Sequence, residues 1–164
     1  MNERTITTKK ETTQTTSKAE TQSKTQTETQ TETQKQTTVT ESKVTSGKGS
    51  EVVAYAKTLL GCKYVYGGTT TNGFDCSGFT QYVYKHFGIN LNRTAAAQYS
   101  NGSSVTNLQA GDLVMFGKSG INHIGIYIGG NKIIHAANPG KGVTTDTLST
   151  GYYKTNYVGA RRIF

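Results

Sequence analysis

The sequence is poor in several residue types, and each shortage excludes a class of protein. Its 164 residues include no tryptophan, one proline and two cysteines. Two cysteines cannot provide the disulfide framework that small secreted domains use for stability. The wholly apolar runs reach only four or five residues, whereas a membrane-spanning helix needs about 20. The composition therefore excludes a membrane-spanning protein and a disulfide-stabilised fold.

The first 47 residues lack aromatic side chains altogether. All 15 aromatic residues lie after this segment, which instead contains 17 Thr, 6 Gln and 6 Glu. Such a segment cannot bury enough apolar surface to offset the entropy lost on ordering. We therefore expect residues 1–47 to be a disordered, hydrated linker. Residues 48–164 are enough for one domain with its own core, but not for a two-domain enzyme.

The N-terminus also lacks a recognisable secretory signal. Met1 is not followed by a basic stretch, an apolar core and a cleavage site of small residues. We expect either that the chain begins within the linker of a longer protein or that it is exported by another route.

Acidic residues are scarce in the expected domain, which carries a net charge of +7 against +1 for the linker. The four acids of the domain are Glu51, Asp75, Asp112 and Asp146. A basic domain favours an anionic partner such as nucleic acid, a membrane surface or a bacterial wall polymer. Among its basic residues only Arg161 and Arg162 are adjacent, which argues against a nucleic-acid surface. A wall polymer and a merely solvated surface both remain open.

Hydrophobic spacing predicts helices in the first part of the domain and strands in the second. The expected helices are 50–60, 76–87 and 94–99, the last capped by Thr94. The expected strands are 112–116, 123–128, 132–136, 143–148 and 157–163. Helices followed by antiparallel strands are the order of an α+β fold, in which one sheet carries the helices.

Cys76 lies where a thiol is expected to be reactive. It follows a glycine-rich loop and begins the predicted helix 76–87. The backbone N–H groups and dipole of a helix N-terminus favour a thiolate and lower the pKa of the thiol. The same N–H groups would hold an oxyanion after the sulfur attacks a carbonyl. The small neighbours Ser77 and Gly78 leave room for a substrate, so we predict that Cys76 is a nucleophile.

A cysteine nucleophile needs a base, and three histidines are available. His86 lies about 15 Å along the helix from the thiol, which is too far. His123 and His135 lie on consecutive predicted strands joined by the loop 129–131. An odd loop or a β-bulge puts both imidazoles on one face, whereas a plain two-residue loop separates them. In the first case His123 accepts the thiol proton, and His135 accepts a hydrogen bond from its other nitrogen.

Six short motifs occur in a distinctive order. They are Tyr64-Val65-Tyr66-Gly67-Gly68, Phe74-Asp75-Cys76-Ser77-Gly78-Phe79, Arg93-Thr94-Ala95, Ala110-Gly111-Asp112-Leu113, His123-Ile124-Gly125-Ile126-Tyr127 and His135-Ala136. This set resembles the NlpC-type family of bacterial cell-wall cysteine peptidases, whose fold is similar to a minimal papain core. The resemblance covers about residues 50–164.

The resemblance implies a papain-like α+β domain with a Cys-His-His mechanism. Cys76 would be the nucleophile, His123 the base and His135 the residue that orients the base. The implied substrate is a peptidoglycan stem peptide, cut between D-γ-glutamate and the following diamino acid. A monomer in the cell wall or secreted from the cell is expected, without a metal or other cofactor.

The resemblance also implies roles for four further residues. Tyr64 matches a tyrosine whose hydroxyl would assist the oxyanion, although a core position is the alternative. Asp75 and Ser77 match positions that contact the stem peptide, although Asp75 is equally suited to cap the helix. Arg93 matches a motif position whose role the sequence does not give.

Two residues depart from the family pattern. Lys63 stands where members often have proline, and Cys62 is an additional cysteine close to the active-site loop. We expect Cys62 to be a buried thiol. The alternative is a disulfide with Cys76, which would inactivate the enzyme.

Three other functions are alternatives to a peptidoglycan endopeptidase. A papain-like cell-wall amidase or acyltransferase usually has an acidic or amide third residue, and His135 argues against it. A zinc site formed by Cys62, Cys76 and two histidines lacks the close Cys-x-x-Cys spacing. A non-catalytic wall-binding domain would not need the intact set of thiol and imidazoles.

Overall fold

A six-stranded antiparallel sheet with helices packed against it forms the described part of the chain. The computed structural model describes the backbone of residues 37–164 and the side chains of residues 47–164. The part of the expected linker before residue 37 lies outside the described residues. Within the described part, no helix is both long and apolar enough to cross a membrane.

The helices of the described residues are α1 Thr37–Lys57, α2 Cys76–His86, α3 Ala95–Gln98 and α4 Gly151–Thr155. The helices α2 and α3 agree with the predictions at 76–87 and 94–99. The Thr94 side chain caps α3 by accepting a hydrogen bond of 3.2 Å from the backbone N–H of Ala97. The sequence pattern does not predict α4, because five residues are too few to show a hydrophobic period.

The first helix is longer than the sequence predicts. It begins at Thr37 rather than at residue 50, so residues 37–47 are helical although their composition suggests linker. Its core contacts come from the predicted part, where Val52 and Ala56 are fully buried. A helix extends readily from such a packed turn, because each added residue gains one backbone hydrogen bond.

The strands are β1 Thr69–Thr70, β2 Gly73–Phe74, β3 Ser103–Val105, β4 Leu113–Phe116, β5 His123–Gly129, β6 Lys132–Ala136, β7 Val143–Thr147 and β8 Tyr157–Arg162. The first two form a short hairpin, and the other six form one sheet in the order β3-β8-β4-β5-β6-β7. The five predicted strands correspond to β4 through β8, each with ends within one residue of the prediction. The strands β1, β2 and β3 are too short for an alternating pattern to reveal them.

A β-bulge sets the register between β5 and β6. Ile126 pairs with Ile134, but nearer the turn Gly129 pairs with Lys132, so one extra residue lies on β5. The turn itself has only two residues, 130–131, with φ of 57° and 59°, as a primed hairpin turn requires. Of the two predicted ways to bring the imidazoles onto one face, the structure uses the bulge.

The core contacts position α2 relative to β5. Phe79 of α2 lies in one core cluster with Ile124 and Ile126 of β5. Burying an apolar side chain of this size contributes about 1.5–3 kcal/mol to stability. Because side chains alternate along a strand, His123 projects to the opposite face, where Phe116 belongs to a second, smaller cluster.

Candidate active site

Cys76 is the first residue of α2, and Asp75 caps that helix. Asp75 has extended backbone angles, and its Oδ1 accepts a hydrogen bond of 2.6 Å from the backbone N–H of Gly78. The Cys76 Sγ lies 4.0 Å from the carbonyl oxygen of Asn122, the residue before β5. The N-terminus of α2 therefore brings the thiol to the strand end at which His123 begins β5.

The environment of the Cys76 thiol favours its protonated form. Burial raises the pKa of the thiol, and the charge of Asp75 raises it further. Hydrogen bonds from the backbone N–H groups of Ile124, of Ser77 and of Cys76 itself lower the pKa, but they do not outweigh burial. The lowered thiol pKa that the helix N-terminus predicts is therefore wrong, because desolvation is the larger effect here. Such a thiol needs a base at the moment of attack.

Two imidazoles and a carboxylate form a hydrogen-bonded chain. His123 Nε2 lies 2.7 Å from His135 Nδ1, and His135 Nε2 lies 3.1 Å from Asp146 Oδ2. Because an ionised carboxylate only accepts hydrogen bonds, His135 Nε2 carries a proton and His135 Nδ1 accepts the proton of His123 Nε2. This tautomer leaves His123 Nδ1 unprotonated and available as a base. The expected hydrogen bond between the two imidazoles is therefore present.

Both imidazoles are neutral at neutral pH. Burial lowers the pKa of His123 to about 3, with a further lowering by His135 and an opposing effect of Asp146. Burial also lowers the pKa of His135, against the hydrogen bond and charge of Asp146, which raise it. A neutral imidazole is the form that accepts a proton, so both imidazoles are in the protonation state that a general base requires.

Aromatic rings limit the orientations of the two imidazoles. Tyr153 of α4 packs edge-on against His135, with ring centroids 5.1 Å apart and an interplanar angle of 89°. The ring of Tyr153 also lies 6.0 Å from that of His123, and Phe116 of β4 lies 6.1 Å from His123. The His135 side chain is fully buried. Packing and hydrogen bonding therefore hold the imidazole pair in one geometry.

Asp75, Ser77 and Arg93 form a polar cluster at the N-terminus of α2. Arg93 holds both oxygens of the Asp75 carboxylate, at 2.5 Å and 3.1 Å, and also bonds Ser77 Oγ at 2.9 Å. Burial opposes ionisation of Asp75, but the hydrogen bonds from Arg93 and Gly78 hold the pKa of that carboxyl below its usual range. The Arg93 side chain is 41% exposed. The sequence gives no role for Arg93, and the structure shows that its guanidinium binds Asp75 and Ser77.

The small residues after the nucleophile contribute to packing. Ser77 and Gly78 are both buried. A Cβ atom on Gly78 would collide with the backbone carbonyl oxygen of Gly68, so glycine allows the loop before the hairpin to approach α2. The expectation that these two residues leave room for a substrate is therefore wrong, because Gly68 lies against Gly78 and Ser77 joins the polar cluster.

Tyr64 lies near the thiol. An isolated bridge pairs Tyr64 with Phe74, two residues before Cys76. Burial raises the pKa of its hydroxyl, and the charges of Cys76 and Asp75 raise it further. The hydroxyl therefore keeps its proton and can donate a hydrogen bond.

The second cysteine is a free thiol. Neither Cys62 nor Cys76 forms a disulfide, and Cys62 is half-buried. The backbone carbonyl of Cys62 accepts a hydrogen bond of 2.8 Å from Val143 at the start of β7. Within residues 47–164, no group of three or more His, Cys, Asp or Glu side chains is arranged to hold a metal ion.

Sequence reasoning missed two residues beside the imidazoles, Asp146 and Tyr153. One signal could have identified Asp146. The predicted strands that contain His135 and Asp146 follow each other, and in the observed register His135 pairs with Thr144. Asp146 is two residues further along and therefore lies on the same face as His135. Tyr153 had no such signal, because it lies on the unpredicted α4.

Comparisons with known proteins agree with this geometry. A model of the NlpC/P60 family matches residues 61–162. The probable peptidoglycan endopeptidase LytE of Bacillus subtilis is 46% identical over 121 residues, which are 72% of this chain and 35% of that protein. A gamma-D-glutamyl-L-lysine dipeptidyl-peptidase of Bacillus cereus is 39% identical over 118 residues, which are 68% of this chain and 35% of that protein. The chain therefore spans about a third of the length of these curated relatives.

A solved structure of the same family has a similar fold. The crystal structure of an NlpC/P60 family protein from Bacillus cereus superposes with a TM-score of 0.68 at 38% sequence identity, covering 70% of this chain and 40% of that chain. The expected papain-like α+β fold and the family resemblance are thereby confirmed. On this sequence and structural similarity, the chain belongs to the NlpC/P60 family.

Proposed function

We propose that this protein is a cysteine endopeptidase that hydrolyses the stem peptides of peptidoglycan. The observation that carries the proposal is the 2.7 Å hydrogen bond between His123 and His135 next to the helix terminus that bears Cys76. It supports a nucleophile, a base and an orienting residue in one connected arrangement. The names of two relatives, a probable peptidoglycan endopeptidase and a γ-D-glutamyl-L-lysine dipeptidyl-peptidase, support the substrate class.

The first half of the proposed reaction forms an S-acyl enzyme. The Cys76 sulfur attacks the carbonyl carbon of the scissile amide while its proton moves to His123 Nδ1. Backbone N–H groups at the N-terminus of α2 stabilise the oxyanion, with the Tyr64 hydroxyl as a further donor. The intermediate then collapses, the C–N bond breaks, and His123 gives its proton to the leaving amine.

The second half of the reaction releases the acyl product. A water molecule attacks the thioester carbonyl and gives a proton to His123. The tetrahedral intermediate collapses, the C–S bond breaks, and the Cys76 sulfur regains its proton. The products are a carboxylic acid and an amine, and the cycle uses only protein side chains and water.

We assign the polar cluster around Asp75 to substrate binding. Both oxygens of Asp75 already bond Arg93, so the carboxylate holds the guanidinium in place beside the nucleophile. The exposed side of Arg93 would then contact polar groups of the stem peptide, and the buried Ser77 hydroxyl would help to hold the guanidinium in position. The bond that we propose to be cut joins D-γ-glutamate to the diamino acid, as the name of one relative indicates for that protein.

The proposed site of action is the cell wall, reached by secretion, with the protein acting as a monomer. The net charge of +7 over residues 48–164 would favour association with anionic wall polymers. Raising the ionic strength should weaken such association, because salt screens exposed charges. Binding to purified walls at low and high salt measures this contribution.

The test of the activity is mass spectrometry of the soluble products released from purified peptidoglycan. The wild-type protein and Cys76→Ala are compared under reducing conditions, so that Cys62 cannot form a disulfide with Cys76. We expect fragments split after glutamate from the wild type alone.

Other products would point to the alternatives. Cleavage by Cys76→Ala would contradict the assignment of the nucleophile. Release of intact stem peptides from the glycan would indicate an amidase. Equal binding of both proteins to the wall without cleavage by either would favour a wall-binding domain.

A further inference from the structure

The carboxylate of Asp146 lies beyond His135 in the hydrogen-bonded chain and is partly exposed. Its Oδ2 is 3.1 Å from Nε2 of the fully buried His135. Its oxygens are each 3.4 Å from Nζ of Lys141, in the turn between β6 and β7. Burial raises the pKa of the Tyr153 hydroxyl on α4, and its interaction with the Asp146 carboxylate raises that pKa further, so the hydroxyl stays protonated beside Asp146. Groups from three parts of the fold therefore converge on this one carboxylate.

The two hydrogen bonds of His135 determine which nitrogen of His123 carries a proton. With Asp146 ionised, His135 donates from Nε2 and can only accept at Nδ1. His123 must then donate from Nε2, which leaves Nδ1 unprotonated. Without the carboxylate as acceptor, His135 can take the other tautomer and donate from Nδ1. That tautomer would force His123 to accept at Nε2 and to carry its proton on Nδ1, where it cannot take up the thiol proton.

The carboxylate also affects the charge that forms during the proposed reaction. When the thiol proton reaches His123, a positive charge forms on a half-buried imidazole that is hydrogen-bonded to the fully buried His135. An unpaired buried charge is costly, whereas a nearby opposite charge offsets that cost. Of the other three acids in residues 47–164, Asp75 bonds Arg93 and Asp112 bonds Arg162, while Glu51 lies on α1. Asp146 is the acid that contacts the imidazole pair.

We propose that Asp146 is a positioning residue of the active site, which fixes the tautomers of His135 and His123 and acts as the counter-ion of the imidazolium formed during attack. This inference rests on the proposed function for its chemistry, because it concerns the proton transfer from Cys76. The titratable and charged groups that face the carboxylate are His135 from β6, Lys141 from the following turn and Tyr153 from α4, with His123 from β5 behind His135.

The test compares Asp146→Asn with the wild type and with Glu51→Gln. The first variant keeps the size of the side chain and removes its charge. The second removes one negative charge from the exposed surface of α1 and controls for the net charge of the protein. The kinetic measurement is kcat and KM on a soluble stem peptide, normalised to the amount of reactive Cys76 found by alkylation and peptide mass spectrometry. The nitrogen NMR shifts of the imidazoles report the tautomers directly.

We expect Asp146→Asn to lower kcat by about 10- to 100-fold, since proton transfer by a positioned base contributes about 10²–10⁴-fold in enzymes. KM should change little, because the hydrogen bonds of Asp146 go to His135 and Lys141 and not to the polar cluster that we assign to substrate binding. The NMR shifts of His123 and His135 should change, and Asp146→Glu, which restores the charge, should recover part of the loss. Glu51→Gln should behave as the wild type in every measurement.

Two results would overturn the proposal. One is an unchanged kcat per reactive thiol in Asp146→Asn, which would mean that the carboxylate only supports folding. The other is a loss of kcat with unchanged tautomers and no recovery by Asp146→Glu.

A failure of the proposed function itself can be distinguished from a failure of this inference. If the wild type cleaves no stem peptide, the alkylation rate of Cys76 at neutral pH still measures how well the imidazole pair takes up the thiol proton. Slower alkylation in Asp146→Asn than in the wild type and Glu51→Gln would then support the role of Asp146. Equal rates would overturn it.

Discussion

Asp75 caps the helix that begins with Cys76, Asp146 is hydrogen-bonded to the imidazole pair, and the closest side-chain partners of these two acids differ in one respect. Asp75 is held by Arg93, whose guanidinium keeps its charge at every accessible pH. Asp146 contacts the exposed Lys141, but its buried partner is His135, a neutral imidazole whose pKa is lowered by burial. The first pair is a permanent ion pair at the start of α2. The pair of Asp146 and His135 becomes an ion pair only when the imidazoles hold an extra proton. The partner, rather than the acid, therefore determines whether a carboxylate responds to the chemistry.

The largest effect on activity is expected for His123→Ala, which removes the imidazole that accepts the thiol proton. Removing the proposed base should lower kcat/KM by about 10²–10⁴-fold, because the thiol of Cys76 is protonated and needs a proton acceptor. Assays with a stem peptide measure the loss. The matched control is His86→Ala, on the exposed end of α2, where the imidazole stacks on Tyr55 at 3.8 Å. Similar losses in both variants would contradict the assignment of the base.

A smaller effect, measured on stability, is expected at the permanent ion pair. Asp75→Ala removes the cap of α2 and the partner of Arg93, and we expect a loss of about 1–2 kcal/mol in the free energy of unfolding, as for other N-caps. Urea denaturation at neutral pH measures it. Because the pKa of Asp75 is lowered in the folded protein, its ionic contribution is present above the ordinary carboxyl pKa. That contribution is lost as the pH falls through the folded pKa, so the difference from wild type should shrink in acid.

The pH dependence of activity should reflect the protonation of the imidazole pair, His123 and His135. Since burial lowers the pKa of His123 to about 3, the imidazole stays neutral well below the ordinary histidine pKa of about 6.5. We expect kcat/KM to fall on the acid side only at a pH clearly below that value. A rate profile in mixed buffers, with protein folding monitored by circular dichroism at each pH, measures it. An acid limb near the ordinary histidine value would mean that the imidazole pair is open to water in solution.

The smallest effect is expected from Lys141→Gln. Lys141 Nζ lies 3.4 Å from both oxygens of Asp146, but its side chain is 56% exposed. Exposed ion pairs contribute about 0–1 kcal/mol, so we expect the kcat of this variant to stay within a few-fold of wild type. The charge of Lys141 lowers the pKa of His135, and its removal should therefore raise that pKa slightly. A loss as large as that in Asp146→Asn would mean that the lysine, not the imidazole, is the important partner of the carboxylate.

The reactive residues could be predicted because their signals are local in the sequence. Cys76 follows a glycine-rich loop at the start of an apolar helix pattern, and the alternation around His123 and His135 indicates strands. The five longer strands were predictable for the same reason. The β-bulge was one of two possibilities, because glycines at 129 and 130 permit both an odd loop and a bulge. The bulge itself is a result of how the whole strands pair.

Other features of the site could not be predicted from local signals. The pKa of Cys76 was expected to be lowered, but burial by surrounding segments raises it. Tyr153 reaches the imidazoles from a helix of five residues, and Asp146 reaches them through the pairing of β6 with β7. These contacts join residues that are 11 or more positions apart in the chain.

The sequence by itself determined which side chains can perform chemistry and on which elements they lie. A helix cap at Asp75, an alternating strand and a pair of glycines depend only on neighbouring residues, so their effects can be derived from the order of residues. Only the tertiary structure decided the protonation states of Cys76 and His123, the pairing of Arg93 with Asp75 and the contact of Asp146 with His135. Desolvation and charge interactions depend on distances between segments far apart in the chain, and those distances exist only in the folded protein.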